Sequence, residues 1–164
     1  MKYVKNNESA LCYVCKGKCC KTYGGAFHPE DIGEEITKDS LKKFIDRGDV
    51  SIDWLEGSPK VYFLRMRHVD APIVDPSWGA QCVHLTETGC DLKFDERAYG
   101  CKTLVPAMDL LCYDGAYTKE LAAEDWEPYQ NILKELCAEY DDPKSHMSYL
   151  DSMLDFILGR FDED

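Results

Sequence analysis

The reading of this chain turns on Cys12-Tyr-Val-Cys15-Lys-Gly-Lys-Cys19-Cys20, a CxxC followed by a cysteine pair. Four thiols within nine residues answer no packing need. A free cysteine behaves as a small buried hydrophobe, and no core asks for four at adjacent, turn-rich positions. Held this close they would repel as thiolates and oxidise readily if exposed. A cation removes both problems, because it stabilises the thiolates and occupies their lone pairs. The stretch therefore predicts a metal or metal–sulfur site.

Working outward, Cys82, Cys90 and Cys101 form a second group, with Cys112 as a candidate eighth thiol. A single tetrahedral zinc takes four ligands, so this surplus predicts two sites or a polynuclear cluster with extra thiols around it. Which cysteines share an ion is open, since neighbours such as Cys19 and Cys20 project in different directions. Lys16 and Lys18 interleave with the first group and either offset its negative charge or are simply solvated. His84 follows Cys82 by two residues and is a candidate ligand or outer hydrogen-bond donor, against the plainer reading of a satisfied hairpin histidine. Haem attachment is set aside because Lys16 stands where histidine is needed. A thioredoxin-like site needs a strand before its CxxC and a helix after it, and here Gly17 and Lys18 lead instead into more cysteines. The bacterial ferredoxin run has two-residue gaps and a final Cys-Pro, whereas this chain has a three-residue gap, a doublet and no proline after it.

The 164 residues predict one domain, with metal-binding region 12–102 and helical part 118–161. A disulfide scaffold is disfavoured by the odd count of nine cysteines, the adjacent Cys19–Cys20 pair and an N-terminus without an apolar export segment. The expected setting is the reducing cytoplasm. A net charge of −12 disfavours nucleic acid and anionic membranes as partners. The partner expected instead is a protein or a small molecule.

The expected fold class is α+β: a small cysteine-rich metal-binding core with short strands and a hairpin, covered by a C-terminal helical hairpin. Gly17, Gly24 and Gly25 are expected to let the backbone turn and aim N–H groups inward. His28-Pro29-Glu30-Asp31 starts a helix to about Ile36, and a second runs from Ser40 to Arg47 with Gly48 as its stop. Ser51–Leu55 and Lys60–Val69 read as strands around Gly57-Ser58-Pro59. Arg65, Arg67 and His68 are taken as a solvated strand face, with a substrate-facing role as the minority reading. Gln81–Leu85 and Cys90–Phe94 predict a hairpin across Thr86–Gly89, and a turn or short helix then presents Cys101. Thr118 caps a helix to Trp126, Pro128 breaks it, and Trp126, Leu133 and Leu136 lie on an apolar stripe that also carries Cys137. Asp142-Pro143 restarts a helix whose expected buried face includes Leu150, Leu154, Ile157 and Leu158.

These motifs resemble the YkgJ-type cysteine-cluster family, described as a zinc- or iron-chelating domain. The first group matches its CxxC–x(2–3)–CC. The second matches its C-x-x-L, G-C, aromatic, R-P-x-x-C-R pattern through Cys82-Val-His-Leu85, Gly89-Cys90, Leu92, Phe94, Arg97 and Cys101-Lys102. The Pro29-Glu-Asp-Ile32 stretch is similar too. Ala98 stands where the family has proline, which predicts a looser turn before Cys101, and Lys102 replaces its arginine. The resemblance implies an iron–sulfur cluster or zinc as cofactor and, for the first, an iron–sulfur oxidoreductase. A similarity to flagellin lysine methylases around the cysteine group makes methyl transfer a further alternative, although no glycine-rich loop for a nucleotide-like cofactor is present. From the residues alone, three classes stand open: a chemically active metal centre, a zinc-stabilised interaction module, and a metal carrier. No catalytic triad, metalloprotease helix or phosphate loop is present.

Overall fold

The computed structural model describes residues 24–76, 80–104 and 116–142, together with Asp151, Leu154 and residues 157–159. Cys12, Cys15, Lys16, Lys18, Cys19, Cys20 and Cys112 lie outside the described residues, as does most of the last predicted helix. Short helices and two small antiparallel sheets make this an α+β fold.

The predicted helix after His28 is a single 3-10 turn, Pro29–Asp31. Gly33, at φ +143°, takes the chain out of helical geometry, so the helix cannot reach Ile36. Helix α1, Lys38–Ile45, starts two residues earlier than predicted. The cause is a reciprocal cap: Ser40 N–H donates to Thr37 Oγ1 at 3.1 Å, and Thr37 N–H donates to Ser40 Oγ at 2.9 Å. Leu41 and Ile45 are fully buried, and Gly48, at φ +95°, ends the turn that follows.

Strands β1, Val50–Leu55, and β2, Val61–Met66, pair antiparallel from Val50↔Met66 to Leu55↔Val61. Irregular segments line both outer edges. Phe27 N–H donates to Leu64 O at 2.8 Å and Met66 N–H to Gly25 O at 2.9 Å. On the β1 side, Ile52 N–H donates to Ile73 O at 2.7 Å and Asp75 N–H to Ile52 O at 2.9 Å. The hairpin is thus the middle of a wider layer, and its polar edges are satisfied by backbone. The predicted second hairpin is present in miniature as β3, Leu85–Thr86, and β4, Gly89–Cys90. After a 3-10 turn, Phe94–Glu96, comes the one-turn helix α2, Tyr99–Lys102.

Helix α3, Lys119–Trp126, is capped by Thr118 as expected, and Pro128 falls in a 3-10 turn, Glu127–Tyr129, before α4, Gln130–Tyr140. Both helices pack on the β1–β2 hairpin, and α4 also meets α1. Trp126 is fully buried, and its indole N–H donates to Phe27 O at 2.7 Å. The Gln130 amide accepts from Tyr62 N–H and donates to Tyr62 O, both at 2.8 Å, completing β2 where no strand neighbours it. Leu133 and Leu136 are buried and Cys137 half-buried, so Cys137 belongs to the core stripe.

Two expectations are corrected. Arg65 and His68 are not solvated but fully buried, and Arg67 is half-buried. Leu154, Ile157 and Leu158, expected on a buried face, are 52%, 65% and 55% exposed. Helix α4 directs its apolar residues at the hairpin and α1, so a packed pair of C-terminal helices is not seen among the described residues.

Candidate functional site

The site is built where Gly24, four residues past Cys20, meets the later cysteines. Gly24 N–H donates to His68 Nε2 at 3.0 Å. A Cβ on Gly24 would lie 2.4 Å from Met66 O, and one on Gly25 would lie 2.5 Å from Cys101 Sγ and 2.7 Å from its nitrogen. Gly100 is equally constrained, since a Cβ there would sit 2.7 Å from Ala26 N. These glycines therefore serve close backbone approach rather than a turn. Gly100 N–H donates to Ala26 O at 2.8 Å, which fixes α2 against residues 24–26 and seats Cys101 Sγ beside Gly25.

The turn before Cys101 is tight, contrary to the looseness expected from Ala98. Cys101 N–H and Lys102 N–H donate to Ala98 O at 2.9 and 3.1 Å. Ala98 itself adopts φ −58°, the value proline would impose.

Cys82 is reached from the other side. His68 and Cys82 form an antiparallel bridge, flanked by Val69 N–H to Gln81 O at 2.8 Å and Val83 N–H to Arg67 O at 3.0 Å. The Cys82 thiol is buried, and burial pushes its pKa up to about 11. The His84 main chain offsets part of the rise, while charge on the nearby Cys90 adds to it.

The His84 side chain is engaged elsewhere. Its Nε2 lies 2.7 Å from Asp49 Oδ2 and its Nδ1 2.8 Å from Asp91 Oδ1, so the ring clamps the hairpin between two carboxylates.

Beneath Gly24 lies a charge network that sequence reasoning missed. Arg65, Asp53 and Asp75 are fully buried. Arg65 Nε donates to Asp53 Oδ2 at 2.8 Å, Nη1 to Met66 O at 2.9 Å, and Nη2 to the carboxylate and carbonyl of Asp75. Lys119 Nζ approaches Asp53 Oδ2 at 3.4 Å. Burial, then the charges of Arg65 and Lys119, depress the His68 pKa to about 3, so the ring is neutral at ordinary pH. Because Nε2 accepts from Gly24, Nδ1 carries the proton, and it stands 3.9 Å from Asp75 Oδ2. The available signal was Asp53 and Arg65 on one face of a predicted hairpin, within diagonal reach across the strands.

Among the described residues, Cys82, Cys90 and Cys137 are in no disulfide, and no three His, Cys, Asp or Glu side chains are grouped to hold an ion. On the outer side of α2 a cavity of about 380 Å³ is lined by Phe27, Phe44, three cations and three carboxylates, a balance that selects no ionic ligand. Among the described residues no helix is long and apolar enough to cross a membrane. Comparisons with protein-family models, with curated proteins and with solved structures give no match.

Proposed function

We propose that this chain is a metal-binding protein in which Cys12, Cys15, Cys19 and Cys20 act with Cys82, Cys90 and Cys101 around one centre, an iron–sulfur cluster in preference to zinc. One observation carries the reading: the backbone just past Cys20 is seated against Cys101, with Gly25 against its Sγ, and Gly24 meets His68, the residue bridged to Cys82. Four residues of chain reach at most about 14 Å, which bounds how far Cys20 stands from Gly24. The donor set suits the proposal, because thiolates favour iron–sulfur clusters and zinc over hard cations. A thiol buried as Cys82 is keeps its proton in the metal-free protein and gives it up when a cation takes its place.

When bound, an iron–sulfur cluster would supply one-electron transfer, whereas zinc would supply a cross-link. The chain's own contribution is to hold Cys101 by the Ala98 turn, Cys82 by the His68 bridge, and Cys90 by the β3–β4 hairpin. These are main-chain restraints, which fix sulfur positions without relying on flexible side chains.

Anaerobic purification followed by iron, zinc and acid-labile sulfide analysis tests the proposal. Brown protein with iron and sulfide is the expected result. Stoichiometric zinc despite abundant iron would select the zinc-stabilised module, ready loss of the ion to a weak chelator would select a carrier, and protein without bound metal would overturn the proposal.

A further inference from the structure

We infer that His68 is a positioning residue that docks the backbone at Gly24, four residues past Cys20, onto the segment carrying Cys82. The inference rests on the metal-binding reading and adds to it the device that aligns the two ligand groups. His68 touches both sides: its main chain bridges Cys82 and its imidazole accepts Gly24 N–H at 3.0 Å. Gly24 is buried and packed closely on Met66 O. An unsatisfied N–H at such a place costs about 1–3 kcal/mol, so the docking depends on an acceptor being there.

The imidazole is fully buried beside a charge network: Asp75 Oδ2 lies 3.9 Å from Nδ1, beyond hydrogen-bond range, Asp75 is held by Arg65, and Arg65 by Asp53. Burying such a set is costly, and a hydrophobic replacement of similar volume is often as stable. The Gly24 N–H sets the tautomer, with Nε2 turned to the backbone at Gly24 and the network supplying a charged, buried surround. Hydrogen-bonded groups outside the ligands commonly set metal affinity in this way.

The test uses the full chain, reduced and metal-free, titrated with Co²⁺ against a chelator, the thiolate-to-cobalt absorption reporting coordination. His68→Phe removes the acceptor and should weaken Co²⁺ binding about 10–100-fold with a changed spectrum. His68→Gln restores an acceptor and should recover most of the affinity. Equal affinity and an unchanged spectrum in His68→Phe would overturn the inference. Amide exchange at Gly24 in the wild type gives a second test that needs no variant to fold: strong protection is expected, and exchange at the rate of an open chain would overturn it. A wild type that binds no Co²⁺ would instead defeat the metal-binding reading, leaving Gly24 exchange to decide the docking.

Discussion

Arg65→Met strips the buried network of its central cation while keeping the side chain's length. Asp53 and Asp75, both fully buried, then lose the guanidinium that bonds each of them, and Met66 O loses its donor. Breaking a buried pair by removing one partner costs about 3–5 kcal/mol. For a chain of this size that corresponds to a fall in Tm of roughly 6–20 °C, at about 2–4 °C per kcal/mol. In urea, with a slope near 2 kcal/mol/M, the midpoint should drop by about 1.5–2.5 M. Trp126, fully buried, gives the fluorescence signal for unfolding. The triple change Arg65→Met, Asp53→Asn, Asp75→Asn removes the stranded charges and should recover much of the loss. A loss below about 1 kcal/mol for Arg65→Met would put these charges in water and refute the network.

Gly25→Ala forces a Cβ to within 2.5 Å of Cys101 Sγ, so stability should fall by about 1–3 kcal/mol and metal content with it. Gly57→Ala, on an exposed turn, should stay within about 0.5 kcal/mol by urea denaturation. Ala98→Pro should be neutral or stabilising by about 0.4–1 kcal/mol, since Ala98 already has φ −58°, Arg97 has the extended ψ of 152° that precedes proline, and Ala98 N–H donates to none of the described residues. Clear destabilisation would contradict the geometry of that turn. In the metal-free protein, the His68 pKa of about 3 against 6.5 for an open imidazole means the unfolded chain binds the extra proton. The His68 contribution, at most on the order of 5 kcal/mol, is therefore complete above about pH 6.5, declines as pH falls, and is gone below about pH 3. His68→Gln should flatten that acid limb in urea titrations, and an unchanged limb would count against the buried neutral ring.

Helix caps and strand alternation were legible because they are local. Thr118 and Pro128 mark α3 and its break, and Gly57-Ser58-Pro59 joins two strands that pair in register. The Thr37 cap was missed because Ser40 is itself a good capping residue, yet it serves as the third residue of the box. The burial of Arg65 and His68 was not legible, because it depends on segments with no strand pattern. Residues 24–27 and 73–75 line the hairpin's edges through backbone alone, so neither alternation nor propensity announces them. The ring contacts of His84 were not legible for a related reason: Asp49 is remote from it in sequence. At Gly24 and Gly25 the residue type was informative but the cause was close packing on Met66 and Cys101, which no single sequence displays.

Differential alkylation read by mass spectrometry tests most directly whether both cysteine groups serve one centre. Metal-loaded and chelated protein are labelled side by side under reducing, anaerobic conditions. The account predicts that Cys12, Cys15, Cys19, Cys20, Cys82, Cys90 and Cys101 gain reactivity together on chelation, while Cys137, in the α4 core stripe, stays unchanged. Release of the first four alone, with Cys82, Cys90 and Cys101 indifferent to the metal, would contradict it.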